Sequence, residues 1–322
     1  MTRRFHHPIW GVVFVVAGAL MLSAKGIVTK LMYAQGADVI TVAAIRSTLA
    51  VPGFWLYAAF TVGIRRLFPA DRRALLLALG TGFVSYYVCA YLDFHALTLI
   101  DASLERVILF GYPVLIVTAR AIADRRRPPA YVTASLLATY TGIFLAVGIF
   151  DARLFAANAF GAMLVIVCAA GVALYYMMNE RLSRRIGSQA FTVYGMTAAG
   201  FGMGVHYALA GTPAEAVALP AEFWWLMALM VVGVTVLPLF LLAEGIARVG
   251  ATRGSLISTI GPPATIVMAW WFLGERMSVL QLFGALLTIA GVVHLEWRAR
   301  RDPRVVRAAA AMSQTRPAST AG

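Results

Sequence analysis

Residues 250–297 read GATRGSLISTIGPPATIVMAWWFLGERMSVLQLFGALLTIAGVVHLEW. Two apolar runs, each long enough to cross a bilayer, flank the short polar hinge Gly274-Glu275-Arg276. The first run carries the paired prolines Pro262-Pro263. The second carries Gly284 and Gly291, two turns apart and therefore near one helix face. The stretch reads as two membrane helices joined by a tight turn.

The rest of the chain continues that pattern. Of 322 residues, 61% are hydrophobic and 13% charged, and the mean hydropathy is +0.80. A soluble domain of this size would carry about 25% charged residues. The expected class is an all-α polytopic membrane protein with ten transmembrane helices. They are drawn over residues 9–30, 39–62, 74–95, 101–122, 130–149, 158–177, 189–210, 223–244, 251–272 and 278–297. Residues 298–322 mix Arg, Ala, Pro, Ser and Thr without apolar periodicity and read as a disordered basic cytoplasmic tail.

The Gly-Ala entry at 250–251, the mid-run prolines, the Gly-Glu-Arg hinge and the Gly-x6-Gly exit resemble the C-terminal helix pair of the EamA family, in the drug/metabolite transporter superfamily. The resemblance extends over nearly the whole chain and is better in the second half. In the first half, Ala123-Asp124-Arg125 stands where the second has Gly-Glu-Arg. What the family implies is secondary transport of a small organic solute: an amino acid, another metabolite or a drug-like compound. It also implies a function for Arg46, which matches a basic position in the family's second span, although that position can equally be structural.

The net charge is +13, which in a soluble chain would suggest nucleic acid. The arginines cluster instead at 3–4, 65–73, 125–127, 181–185 and 298–307. In the ten-span threading all of these fall on one side, cytoplasmic by the positive-inside rule. The other side holds mainly acids: Asp38, Asp93, Asp101, Asp151, Glu215 and Glu222. Both termini are then cytoplasmic and the protein sits in the cell's inner (plasma) membrane. The expected partners are a small-molecule substrate and membrane lipid, with no nucleic acid, and the chain is a monomer or homodimer. Cys89 and Cys168 each lie inside an apolar run, so no disulfide is expected. No metal-ligand cluster and no phosphate-cradling glycine loop is present, so neither a metal, a cofactor nor ATP-driven pumping is expected.

A shift of 150 residues lays Trp10-Gly11 on Phe160-Gly161 and Gly111-Tyr112-Pro113 on Gly261-Pro262-Pro263. Asp124-Arg125 then meets Glu275-Arg276 with one residue of slippage. The chain divides into five-helix repeats over 1–150 and 151–297. Because five is odd, the second repeat enters the membrane inverted, as in many secondary transporters.

Ionisable groups inside a span are expensive and are site candidates by default. Lys25 and Arg46 lie within reach of the outer boundary and could snorkel to it. Glu105, four residues after Asp101, has two readings. It can be an acid at a helix N-terminus, stabilised by the dipole, or a partner of Lys25 or Arg46 across a cavity mouth. Deeper residues are hydroxylic and aromatic: Tyr86, Tyr176, Ser258 and Thr259. Gly82, Tyr86, Cys89 and Asp93 are spaced for one face of the third helix. The candidate binding set is therefore Lys25, Arg46, Tyr86, Glu105, Tyr176, Ser258 and Thr259. Two other classes compete with a carrier. An intramembrane lipid-active enzyme would need a nucleophile–base or paired-acid constellation at depth. A non-transporting receptor or scaffold would have no need of an inverted repeat.

Overall fold

A computed structural model describes residues 8–123, 129–211, 218–249 and 260–301, and every regular element among them is a helix. The first expected run contains α1 (Pro8–Ser23) and α2 (Lys25–Ala34), and the second is α3 (Val39–Val62). The third holds α4 (Arg72–Gly82), a π-helical turn (Phe83–Val88) and α5 (Cys89–Ala96). The fourth is split into α6 (Ala102–Leu109) and α7 (Tyr112–Ala123). Then come α8 (Ala130–Val147), α9 (Ala152–Ile186) and α10 (Ser188–Ala210). A second π turn (Leu229–Val236) separates α11 (Ala221–Ala228) from α12 (Leu237–Val249), and α13 (Gly261–Leu273) and α14 (Val279–Arg301) close the chain.

Helix thus occupies part of each expected run. Among the described residues, six stretches are long and apolar enough to cross a membrane: Trp10–Ala34, Val39–Val62, Arg72–Ala96, Ala130–Val147, Ala152–Asn179 and Ala221–Leu242. Large apolar side chains also cover the outside, among them Phe60, Phe201, Leu209, Trp271 and Val279, each more than 70% exposed. Soluble monomers rarely show so much contiguous apolar surface. The chain is a polytopic, multi-pass membrane protein.

Local chemistry sets the boundaries. Asp38 and Asp71 cap α3 and α4, accepting from the amides of Thr41 (3.2 Å) and Ala74 (3.0 Å). Gly274 ends α13 with φ +68°, a left-handed conformation that a side chain would strain. The expected sixth span, 158–177, is a longer helix. α9 runs on through Arg181 and Arg185, because a helix need not stop where its apolar stretch does, and it ends only at Gly187 with φ +82°.

Pro113, Pro262 and Pro263 stand in the first turns of α7 and α13, where no helical donor is needed. Pro238 is the second residue of α12, directly after a π turn. Pro52 sits in the interior of α3, and Pro238 lies within the continuous stretch Ala221–Leu242.

Small residues decide which helices pack. α8 lies along α14, α1 along α12, α3 along α10 and α6 along α13, while α9 packs on α4, α5, α6 and α7. In the α8–α14 seam a methyl on Gly142 would strike Thr288 and the Gly284 carbonyl, and one on Gly291 would strike Thr139 and the Ser135 carbonyl. Thr139 and Thr288 are 149 residues apart, and the same offset converts each member of the first set into its counterpart in the second. Gly284 and Gly291 therefore share the face that their spacing predicts. Gly200 and Gly204 pack against Ser47, Thr48 and Val51 of α3, inside the chain. One buried apolar cluster gathers Met32, Phe94, Phe223, Met227 and Met230, and a second gathers Leu104, Ile108, Val147 and Leu164.

Candidate functional site

The break between α1 and α2 places a lysine in the interior. Helix α1 stops at Ser23, whose carbonyl accepts from Thr265 Oγ1 (3.0 Å), and whose hydroxyl reaches the Gly261 carbonyl (3.0 Å). Two residues on, Lys25 Nζ pairs with the Asp93 carboxylate and with Glu105 Oε1 at 3.1 Å. Glu105 is 1% exposed and Asp93 6%. Charges this dry persist only when paired, so the ammonium holds α2, α5 and α6 together. Lys25 turns inward, and of the two readings of Glu105 the structure favours the paired one. Asp93 Oδ1 and Arg106 Nε are two of the five buried side-chain atoms, among the described residues, that have no hydrogen-bond partner.

Arg46 approaches the same region from α3. Its Nε donates to Thr235 Oγ1 (3.3 Å) and its guanidinium stands 5.2 Å from the centre of the Phe94 ring. Thr235 belongs to the second π turn, where its hydroxyl donates to the Met230 carbonyl at 2.8 Å. The wider turn leaves that carbonyl a side-chain donor, and the same hydroxyl then receives Arg46.

Below these charges lies an aromatic group. Tyr86 meets Tyr175 edge-on, with ring centres 4.6 Å apart, and Tyr175 hydrogen-bonds Thr192 at 3.0 Å. Tyr176 stacks on Tyr112 at 5.2 Å and is half exposed. The third, fourth and sixth expected spans each contribute. Gly82, Tyr86, Cys89 and Asp93, expected on one face, lie on the covered side of their stretch, with Phe83, Val84 and Val88 exposed opposite, and they meet several helices. Gly82 touches Gly195 of α10, Cys89 lies on Gly171 of α9, and Asp93 reaches Lys25. A π turn between them adds a residue to the turn and rotates everything after it. Cys89 and Cys168 are free and buried, and Cys168 Sγ donates to the Cys89 carbonyl at 2.9 Å.

A second polar cluster lies one step outward. Helix α6 has Asp101 at its N-cap position, but that side chain makes no capping bond. The cap comes instead from Glu275 of the hinge after α13. Its carboxylate accepts from the amides of Ala102 (2.8 Å) and Ser103 (3.1 Å) and from Ser103 Oγ (2.9 Å). Lys30 Nζ stands 3.3 Å from Glu275 and 3.7 Å from Asp101. A carboxylate at a helix N-terminus is favoured by both the free amides and the dipole. Asp101 lies beside that carboxylate, with Lys30 between the two. Glu275→Ala leaves three donors without their acceptor. Water can reach this outer end and replace part of what is lost, so we expect a loss of about 2 kcal/mol rather than a multiple of the ~1–3 kcal/mol typical for each dry orphan. Denaturant unfolding of the variant in micelles measures it, and unchanged stability would show that the cap does not form.

The expected site residues therefore separate. Lys25 and Glu105 meet directly, Arg46 stands beside them, and Tyr86 and Tyr176 join different parts of one aromatic cluster. Ser258 and Thr259 lie outside the described residues. Asp93, Lys30, Glu275, Thr235 and Arg106 stand outside the expected binding set. The available signal was a scarcity of partners: Lys25 and Lys30 sit near the outer ends of spans where the other charges are almost all acids.

The EamA-like transporter family matches residues 159–296. Across 293 residues the chain is 34% identical to the uncharacterized transporter YcbK of Bacillus subtilis (strain 168), covering 89% of this chain and 93% of that protein. It is 26% identical over 205 residues to the uncharacterized inner membrane transporter YicL of Salmonella typhimurium (strain LT2), covering 63% of this chain and 67% of that one. A solved crystal structure with 18% identity matches with a TM-score of 0.62, over 90% of this chain and 98% of its own, and so shares the fold. With a relative this similar along most of both chains, the protein belongs to the EamA-like transporter family.

Proposed function

We propose that the protein is a secondary transporter that moves a small organic solute, of the amino-acid, metabolite or drug-like class, across the cytoplasmic membrane by alternating access. Its ten spans form two inverted five-helix repeats, 1–150 and 151–297. Both termini are cytoplasmic, and the basic segment 298–322 rests against anionic lipid. The working unit is a monomer or homodimer, needs no cofactor and leaves its solute chemically unchanged.

The observation that carries this reading is the seam between α8 and α14, whose glycine and threonine contacts interchange under one offset of 149 residues. A two-fold axis between the helices accounts for it. Other packing agrees. The third and eighth expected spans each contain a π turn, and α1 packs on α12 as α9 packs on α4 and α5. Two like halves related in this way supply two alternative arrangements around one midplane site.

Purified protein in liposomes, offered a mixture of labelled amino acids and other small metabolites, should accumulate or release at least one of them unaltered. Reporter fusions after Gly187 should report cytoplasm, and fusions after Thr212 the outside. Chemical conversion of a lipid or solute without flux would replace the transporter reading with an enzymatic one. A cytoplasmic reporter at Thr212 would overturn the inverted threading.

A further inference from the structure

We propose that the Asp93–Glu105 carboxyl pair, held on one side by Lys25, is an exchangeable proton-binding site. Its use as the coupling site rests on the transporter reading; its proton chemistry does not. Three observations carry it. Asp93 and Glu105 share a single ammonium, Lys25 Nζ, and both are buried. The two carboxyl groups meet at the same Nζ and act on each other electrostatically, a closeness that two ionised carboxylates resist and one protonated carboxyl relieves. Asp93 Oδ1 is buried without a donor, and a proton within the pair is the donor that this arrangement lacks.

The other charged and titratable groups near the pair come from the helices packed around it. Helix α2 contributes Lys25 and, further along, Tyr33, whose hydroxyl is already committed to the Phe94 carbonyl at 2.7 Å. Helix α3 contributes Arg46, which interacts electrostatically with Asp93 but bonds Thr235. Helix α6 adds Arg106 beside Glu105, α5 adds Cys89, and α9 adds Cys168. The cations confine negative charge to this place without giving the pair a second direct ion-pair partner. Coupled groups of this kind take up one proton as a unit rather than as separate residues.

The step is a simple one. A proton from water forms one O–H bond on the pair, no other covalent bond changes, and the pair's charge falls by one. Lys25 is then held by one carboxylate instead of two, so α2 is less tightly bound to α5 and α6. Loss of the proton restores the double clamp. Proton occupancy thereby biases the position of one helix against two others, the differential contact that coupling requires.

Infrared difference spectroscopy of the full chain in lipid vesicles tests the site without knowledge of the solute. At neutral pH the wild type should show the carbonyl stretch of a protonated, buried carboxyl. The band should shift in heavy water and disappear on alkaline titration. Glu105→Gln and Asp93→Asn should each abolish it, while the exposed control Glu222→Gln should keep it. Circular dichroism confirms that each variant is folded; if either pair variant is not, Lys25→Arg, which keeps the clamp's charge, should still shift the band's titration. A wild-type spectrum without the band, or one indistinguishable from both folded pair variants, overturns the proposal. The band without solute flux supports the proton site and removes the transporter reading. Flux without the band does the reverse.

Discussion

Replacing Lys25 by methionine should cost about 3–5 kcal/mol of stability, the usual penalty for removing one partner of a buried ion pair, and should stop solute flux. Methionine keeps most of the length and apolar stem, so the change isolates the ammonium. What remains is Asp93 facing Glu105, with side chains 9% and 1% exposed and no direct counter-ion. Salt gives little relief, since screening acts on exposed charges far more than on buried ones. Proton uptake by the pair sets the upper limit of the penalty, because one carboxyl can neutralise itself. The double variant Lys25→Met, Glu105→Gln removes one charge of each sign and should regain at least half of the lost stability. Its flux should stay low. Unfolding in denaturant, followed in micelles for the wild type, the single variant and the double, reads the coupling between the two residues. If Lys25→Met were as stable as the wild type, the amine would be reaching the outer boundary as its place in the sequence allowed, and the inward clamp would be wrong.

Periodicity and composition made the membrane class legible, because length and apolarity are local properties. The shared face of Gly284 and Gly291 was legible for the same reason: two turns of helix fix it wherever the helix lies. The stripe Gly82, Tyr86, Cys89 and Asp93 was legible as a covered side, but its partners on α10, α9 and α2 were not. No residue in FVSYYV marks the π turn there as Gly or Pro would mark a bend. The charges hid their partners too. Lys25, Glu105 and Glu275 were each visible, but their partners lie on other helices, at separations of 68 to 173 residues. Spacing rules say nothing over that distance. Glu275 is the clearest case. As part of a hinge it reads as a turn residue, and only the fold shows that it caps a helix in the other half of the chain.

Two glycines on one turn of α4 should respond in opposite directions to the same methyl group. Gly82 is buried where the third expected span crosses α10, and a Cβ there would overlap the backbone of Gly195. Backbone cannot rotate aside as a side chain can, so Gly82→Ala must push the helices apart. The general cost of overpacking is ~1–3 kcal/mol, and with two main chains in contact we expect the upper end, about 3 kcal/mol. Gly80 has nothing within 4 Å of the same added atom. There alanine brings only its better helix propensity, a gain of roughly 0.5–1 kcal/mol. The reciprocal change, Gly195→Ala, should be milder than Gly82→Ala. Its methyl would stand 3.3 Å from Gly82 Cα and 3.5 Å from the Ala78 carbonyl, close contacts that small shifts relieve. The expected order of stability is therefore Gly80→Ala above wild type, then Gly195→Ala, with Gly82→Ala lowest. Because this seam joins the two halves of the chain, Gly82→Ala should also reduce flux in molecules that remain folded, while Gly80→Ala leaves flux unchanged. Equal stability of the Gly80 and Gly82 variants would mean that α4 and α10 do not meet at Gly82, and the packing of the halves would have to be redrawn from that point.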